Sequence, residues 1–252
     1  MVKNRIGILG MMFIILFLVN CKSARYIPHV QHHEMLSIDQ EIPQDTAISN
    51  YILPFKATLE AKMNEVIGQA PTAMIHNRNL PETELSNFFV DALLTIGRQT
   101  DPEVDFSLAT KDAIRSSIAQ GAVTVRTVFE LMPFENYITI LELRGSDVMK
   151  LADFIAKSNG QPIGNAHIEI QHQKTLGFQI DGKQVDPNAT YKLVTYDFIA
   201  NGGDLVSGLD QPLHRLDTDL RVRDALIAYI QELTQTGKQV KSAKDGRVRI
   251  LQ

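Results

Sequence analysis

The chain has 252 residues, 44% of them apolar and 21% charged, with a formal net charge of −4. That length and balance suit one large or two small globular domains with a sizeable core. Weak acidity without a long basic run argues against a nucleic-acid footprint, and the absence of Trp leaves stacking surface mainly to a few Phe residues.

Lys3 and Arg5 precede an apolar run from Ile6 to Val19. At about 14 residues it falls in the range of a secretory signal segment and short of the roughly 20 that a membrane span needs. Leu18-Val19-Asn20-Cys21 resembles the lipobox of bacterial lipoproteins, whose cysteine is acylated and becomes the mature N-terminus; Asn20 replaces the usual small residue. The resemblance implies a signal peptide over residues 1–20, lipidation at Cys21 and an exported, membrane-anchored lipoprotein on the periplasmic side or the cell surface. The other reading is a buried free cysteine after an uncleaved anchor, which also leaves the remainder outside the cytoplasm.

Residues 21–45 read as a polar linker, with a short strand near Met35 to Ile38. His29, His32 and His33 in it lack the Cys, Asp or Glu that would complete a metal-ligand spacing. A domain is expected over residues 46–252. Asp45 is placed to cap a helix to about Asn64. Glu65–Gln69 and Ala73–Ile75 read as short extended segments, and Pro81-Glu82 as the start of a second helix. Its residues Leu85, Phe88, Phe89, Ala92, Leu93 and Ile96 recur at helical spacing.

Val104–Ala109 reads as a strand, Thr127–Leu131 as a short helix and Tyr137–Leu143 as an alternating strand. A helix capped by Ser146 is expected to run to about Ser158. His167–Gln171 and Gly177–Ile180 resemble a strand pair, and Tyr191–Thr195 another strand. A last helix is expected over about Leu220–Leu233, and a closing strand over Arg247–Leu251. Interleaved helices and strands with hairpin signals give an α+β class: a single domain with a mixed β-sheet and flanking helices.

Tyr196-Asp-Phe-Ile-Ala-Asn-Gly-Gly-Asp204 holds an aromatic, two glycines and a carboxylate within a few residues. It is either a helix stopped by Gly202-Gly203 or a loop that meets a ligand. No G-x-S-x-G, H-E-x-x-H, P-loop or Rossmann glycine pattern occurs, and no histidine assembly suggests a two-metal site. The chain is therefore expected to hold no catalytic or metal centre of its own.

Four segments do match one family in order. Glu82-Thr-Glu-Leu-Ser-Asn87-Phe-Phe-Val-Asp91-Ala92, Thr110-Lys-Asp-Ala-Ile-Arg115, Leu131-Met-Pro-Phe134-Glu-Asn136 and Asp197-Phe198-Ile-Ala-Asn-Gly202-Gly203-Asp204 resemble the segments of the 5'-nucleotidase C-terminal domain. The resemblance implies that Phe134 and Phe198 clamp a base and that Arg115 contacts the nucleotide. It puts Asn136, Gly160 and Asp204 at or near polar base and ribose contacts, and gives Asn87, Gly202 and Gly203 to the structural motif. A further arginine position falls at Asn79, with Arg78 adjacent. Without the resemblance, each Phe reads as core and Arg115 as a structural ion pair.

Thr110-Lys111-Asp112-Ala113 replaces Asn and three glycines, Ser86 and Leu205 each replace a glycine, and Glu135 brings negative charge beside an expected anion site. The resemblance also implies that phosphoester hydrolysis needs a metallophosphatase domain with two metals, for which residues 22–50 have no room. The expected function is the nucleotide-binding half of a 5'-nucleotidase-type hydrolase. Its partners would be a nucleotide or nucleoside and a separately encoded metallophosphatase carrying the divalent metals. The alternatives are a non-catalytic nucleoside- or nucleotide-binding lipoprotein and a structural interaction module.

Overall fold

The structure, a computed structural model, describes residues 35, 37–39 and 42–251. The signal segment, Cys21 and the three linker histidines lie outside them. The chain divides into a unit at Met1–Ser49 and a unit at Asn50–Gln252. In the first, Met35, Ser37 and Ile38 carry no regular structure, so the strand expected there is absent at those residues. Asp45 does cap a helix, α1 (Thr46–Met63), its Oδ1 accepting from Ala47 N at 2.9 Å and Ile48 N at 3.1 Å. No residue of α1 is buried.

The second unit is built on three sheets. β1 (Val66–Ala70) pairs antiparallel with β3 (Gly121–Thr124). A five-stranded mixed sheet runs in the order β10 (His214–Arg221), β4 (Tyr137–Arg144), β9 (Thr190–Tyr196), β2 (Phe106–Leu108) and β5 (Ile163–Gly164), with only β2 and β9 parallel. A four-stranded sheet follows the order β11 (Val248–Leu251), β6 (Ala166–Gln171), β7 (Lys174–Ile180) and β8 (Lys183–Gln184), with β11 and β6 parallel. The α+β class expected from the sequence is the class observed.

The core gathers around α2 (Glu84–Thr100), whose Leu85, Phe88, Phe89, Ala92, Leu93 and Ile96 are all buried. A Leu or Phe so buried contributes roughly 1.5–3 kcal/mol. The helix begins later than Pro81-Glu82. Thr83 and Ser86 form a reciprocal cap: Thr83 Oγ1 accepts from Ser86 N at 3.0 Å, and Ser86 Oγ from Thr83 N at 2.9 Å. Ser86 therefore supplies half of a helix cap, which glycine cannot.

Three further boundaries differ from expectation. α3 (Val125–Leu131) starts earlier, capped by Thr124. α4 (Gly145–Lys157) starts ahead of Ser146, with Arg144 at the cap position. α6 (Val222–Gln235) is preceded by the strand β10, where the sequence suggested continuous helix from Leu220.

The chain's last strand is fastened by charge. The buried Glu82 Oε1 accepts from Asn87 Nδ2 at 2.7 Å, Asp245 N at 2.9 Å and Gly246 N at 3.2 Å, while Asn87 also donates to Ala243 O at 2.9 Å. Beside them Arg247 donates to Asp91 at 2.6 and 3.2 Å, to Asp245 at 2.9 and 2.7 Å and to Ile163 O at 3.1 Å. These bonds tie the turn before β11 to both ends of α2's first half.

Candidate functional site

Three stretches and one outlying arginine converge on a single cavity. Strand β2 delivers the loop from Thr110, which coils as one 3-10 turn at Lys111–Ala113 and leads to Arg115. The break between α3 and β4 supplies Phe134 and Asn136. The end of β9 supplies Tyr196 and passes into α5 (Asp197–Ala200), which carries Phe198 and leads to Asp204. With Arg78, Asp112 and Ala113 they line a cavity of about 330 Å³.

Phe134 and Phe198 are 37% and 47% exposed, so neither ring is spent in the core. Phe198 lies directly on Gly203, where an added Cβ would come within 2.5 Å of the ring. Gly202, at φ 89°, meets the other requirement of this turn, a left-handed backbone. The two glycines thus stop the short helix and make room for the ring at the same time. Leu205, in the place of a third glycine, holds a positive φ of 54° and is almost wholly exposed.

The polar floor is a connected set of hydroxyls. Tyr196, buried at the end of β9, has its hydroxyl 2.9 Å from Thr110 Oγ1 and accepts from Thr110 N at 3.2 Å. Thr110 Oγ1 in turn donates to Asp204 Oδ2 at 2.5 Å. Burial pushes the Tyr196 phenol up to about 12, so the hydroxyl keeps its proton at neutral pH. Nearby, Asp197 Oδ1 accepts from Tyr137 N at 3.1 Å and Phe198 N at 2.8 Å, which fixes where α5 leaves the sheet.

Two guanidinium groups reach the cavity. The Arg115 guanidinium sits 5.9 Å from the centroid of the Phe134 ring, a cation–π approach. Among the described residues Arg115 forms no ion pair. Arg78 pairs with Asp112. His76, close by, titrates below its ordinary range because it is partly buried and because Arg78 and Arg115 face it.

The departures from the family pattern acquire physical roles. No residue from Thr110 to Ala113 has a positive φ, so the loop keeps its path without glycine. Lys111 turns away, its N donating to Gln161 Oε1 at 2.9 Å and its Nζ to Asn159 O at 3.1 Å. The negative charge expected of Glu135 beside an anion site is neutralised. The carboxylate pairs with Arg221 at 2.8 Å and with Arg223, whose guanidinium also covers Phe129 at 4.1 Å. The Arg223 hydrogen bond holds Glu135 below the usual carboxylate range.

Of the residues singled out from sequence, Arg115, Phe134, Asn136, Phe198 and Asp204 stand together around the cavity, as does the adjacent-position arginine, Arg78. Gly160 is not among its lining residues. It turns the chain after α4 at φ 91°, and a Cβ there would meet Val248 and Pro81. Asn87 sits at the Glu82 clamp, away from the cavity lining. Sequence reasoning missed Tyr196 as a lining residue; its place immediately before Asp197-Phe198, at the end of an apolar strand, is the signal that pointed to it.

A model of the 5'-nucleotidase C-terminal domain matches residues 65–211, more than half of the chain. The chain belongs to the 5'-nucleotidase C-terminal domain family. It is 26% identical over 204 residues to protein UshA of Yersinia enterocolitica, covering 79% of this chain and 37% of that protein. To the 5'-nucleotidase of Vibrio vulnificus it is 24% identical over 175 residues, covering 66% of this chain and 31% of that one.

Among solved structures, a 5'-nucleotidase precursor from Thermus thermophilus superimposes with a TM-score of 0.69 at 24% identity, over 83% of this chain and 44% of that one. The NAD nucleotidase of Haemophilus influenzae gives 0.59 at 16% identity, over 86% and 43%. These likenesses carry the fold. The chain spans less than half the length of the curated relatives it matches. The family match ends at residue 211, yet β10 and β11, beyond it, complete both larger sheets.

Among the described residues no group of three or more His, Cys, Asp or Glu stands close enough to hold a metal ion. No helix among them is long and apolar enough to cross a membrane.

Proposed function

We propose that this member of the 5'-nucleotidase C-terminal domain family is the nucleoside-gripping component of a nucleotide-hydrolysing system. Phe134 and Phe198 take the base between them, Asp204 accepts from ribose hydroxyls, and Arg115 faces ribose or phosphate oxygens. The two divalent metals and the attack on phosphorus belong to a separate metallophosphatase. Tethering through an acylated Cys21 would keep the domain on the outer side of a membrane, where exported nucleotides are met.

The observation that supports this reading most is the gathering of Arg115, Phe134, Asn136, Phe198 and Asp204, from distant parts of the chain, around one cavity. Its two half-exposed rings offer π-faces that stack on any base, at about 1–3 kcal/mol per base on alanine substitution. The hydroxyl set beside them holds the Asp204 carboxylate in place as an acceptor.

The test is phosphate release from AMP with divalent metal, using the purified chain alone, a candidate metallophosphatase alone, and both. Release should rise when the two are combined, and the Phe134→Ala, Phe198→Ala double variant should abolish the rise. Robust turnover by this chain alone would sink the division of labour.

A further inference from the structure

The charges lining the cavity consist of two guanidiniums, Arg78 and Arg115, and two carboxylates, Asp112 and Asp204. They are not free to combine at will. Asp112 is half of an ion pair with Arg78, and its Oδ1 is buried beneath that guanidinium, which is its one partner among the described residues. An anion that drew Arg78 away would break that ion pair and leave the Asp112 carboxylate, 44% exposed, bare on the cavity lining beside the incoming charge.

An anion that left the pair intact would find the Arg78 charge already offset by Asp112, while Asp204 adds a second carboxylate to the lining. Arg115 is then the only lining cation without a carboxylate partner among the described residues. Lys111, the nearest other cation in the loop, spends its ammonium on Asn159 O at 3.1 Å. The aromatic and hydroxyl surfaces, by contrast, ask for no charge at all.

We infer that Asp112 makes this cavity selective for a neutral nucleoside over the corresponding 5'-monophosphate. The inference rests on the nucleoside-gripping reading above and gives that site a discriminating residue. In the two-component system, the phosphate charge must then be carried by the partner, and this domain holds the dephosphorylated product more tightly than the substrate.

Calorimetric titration of the purified full chain, without divalent metal, tests it. The ligands are adenosine, guanosine, cytidine and uridine, each beside its own 5'-monophosphate. For the bases that bind, the nucleoside should bind more tightly. Asp112→Asn, which keeps the shape and removes the charge, should raise monophosphate affinity about tenfold while leaving nucleoside affinity within about twofold. The wild-type gap should narrow as salt is raised. A wild-type preference for the monophosphate, or a variant that shifts both ligands alike, overturns the role of Asp112 while leaving the nucleoside site standing. Silence toward every ligand, from protein and variant alike, overturns the nucleoside site itself and this inference with it.

Discussion

Two arginine–carboxylate groups in this molecule use the same chemistry to opposite ends. At the C-terminal clamp Arg247 makes five hydrogen bonds, to Asp91, Asp245 and Ile163 O, which matches the five N–H donors that a guanidinium owns. Its side chain is only 12% exposed. At the cavity, Arg78 is 57% exposed and meets one carboxylate, while Arg115 stands beside the Phe134 ring with no ion pair among the described residues. An arginine whose donors are all spent holds a fold together. One with donors left over, beside an aromatic face in a cavity, is equipped to meet a ligand.

That contrast breaks if stability and binding respond alike to the two groups. Arg247→Ala leaves the half-exposed Asp91 and Asp245 without their cation and removes five hydrogen bonds, and should cost about 2 kcal/mol of unfolding free energy in chemical denaturation. Arg115→Ala should cost less than about 0.5 kcal/mol in the same experiment, because it breaks no ion pair among the described residues.

A smaller and more local effect is expected at Gly203. Alanine there forces the Phe198 ring off its seat, and the ring has solvent to move into. Stability should hold within about 0.5 kcal/mol while nucleoside affinity, measured by calorimetry, falls about tenfold.

The smallest effect sharpens the clamp by pH. The Arg247 hydrogen bond holds Asp245 below the usual carboxylate range. A lowered folded pKa means that the unfolded chain binds the proton first. The contribution to stability is complete above the ordinary Asp value of about 3.9 and drains away as pH falls through the lower folded value. Asp245→Asn should make the decline of unfolding free energy below about pH 4 shallower, with urea titrations at stepped pH as the readout.

How much of this was legible in the sequence depended on what each residue faces. Helix α2 was plain because its buried residues repeat at helical spacing. Strands β4 and β9 were plain because their apolar residues sit in a covered sheet. The edge strand β10 was not: seven of its eight residues, in His214–Arg221, are exposed, so it carries no apolar alternation. That omission had a consequence. With no strand expected over His214–Asp219 and the helix begun at about Leu220, nothing brought Arg221 and Arg223 to Glu135, and its charge was read as lying beside an anion site.

The resemblance of four segments, in order, to the 5'-nucleotidase C-terminal domain was enough to suggest that Arg115, Phe134, Phe198 and Asp204 meet. The Arg78–Asp112 pair was not readable, because it joins two loops with no periodicity to relate them. Gly160 was placed by family position alone, whereas its surroundings, Val248 and Pro81, are set by how β11 returns to the domain.

The hydroxyl relay from Tyr196 through Thr110 to Asp204 also bears on the rate and heat of any encounter. Because a wholly buried phenol pins Thr110, and Thr110 pins the aspartate, the polar side of the cavity is already assembled before anything enters. A ligand arriving there finds little protein to freeze, so association should resemble docking against a finished mould. Amides around Thr110 and Asp204 should accordingly show nearly the same hydrogen-exchange protection with the cavity filled as with it empty.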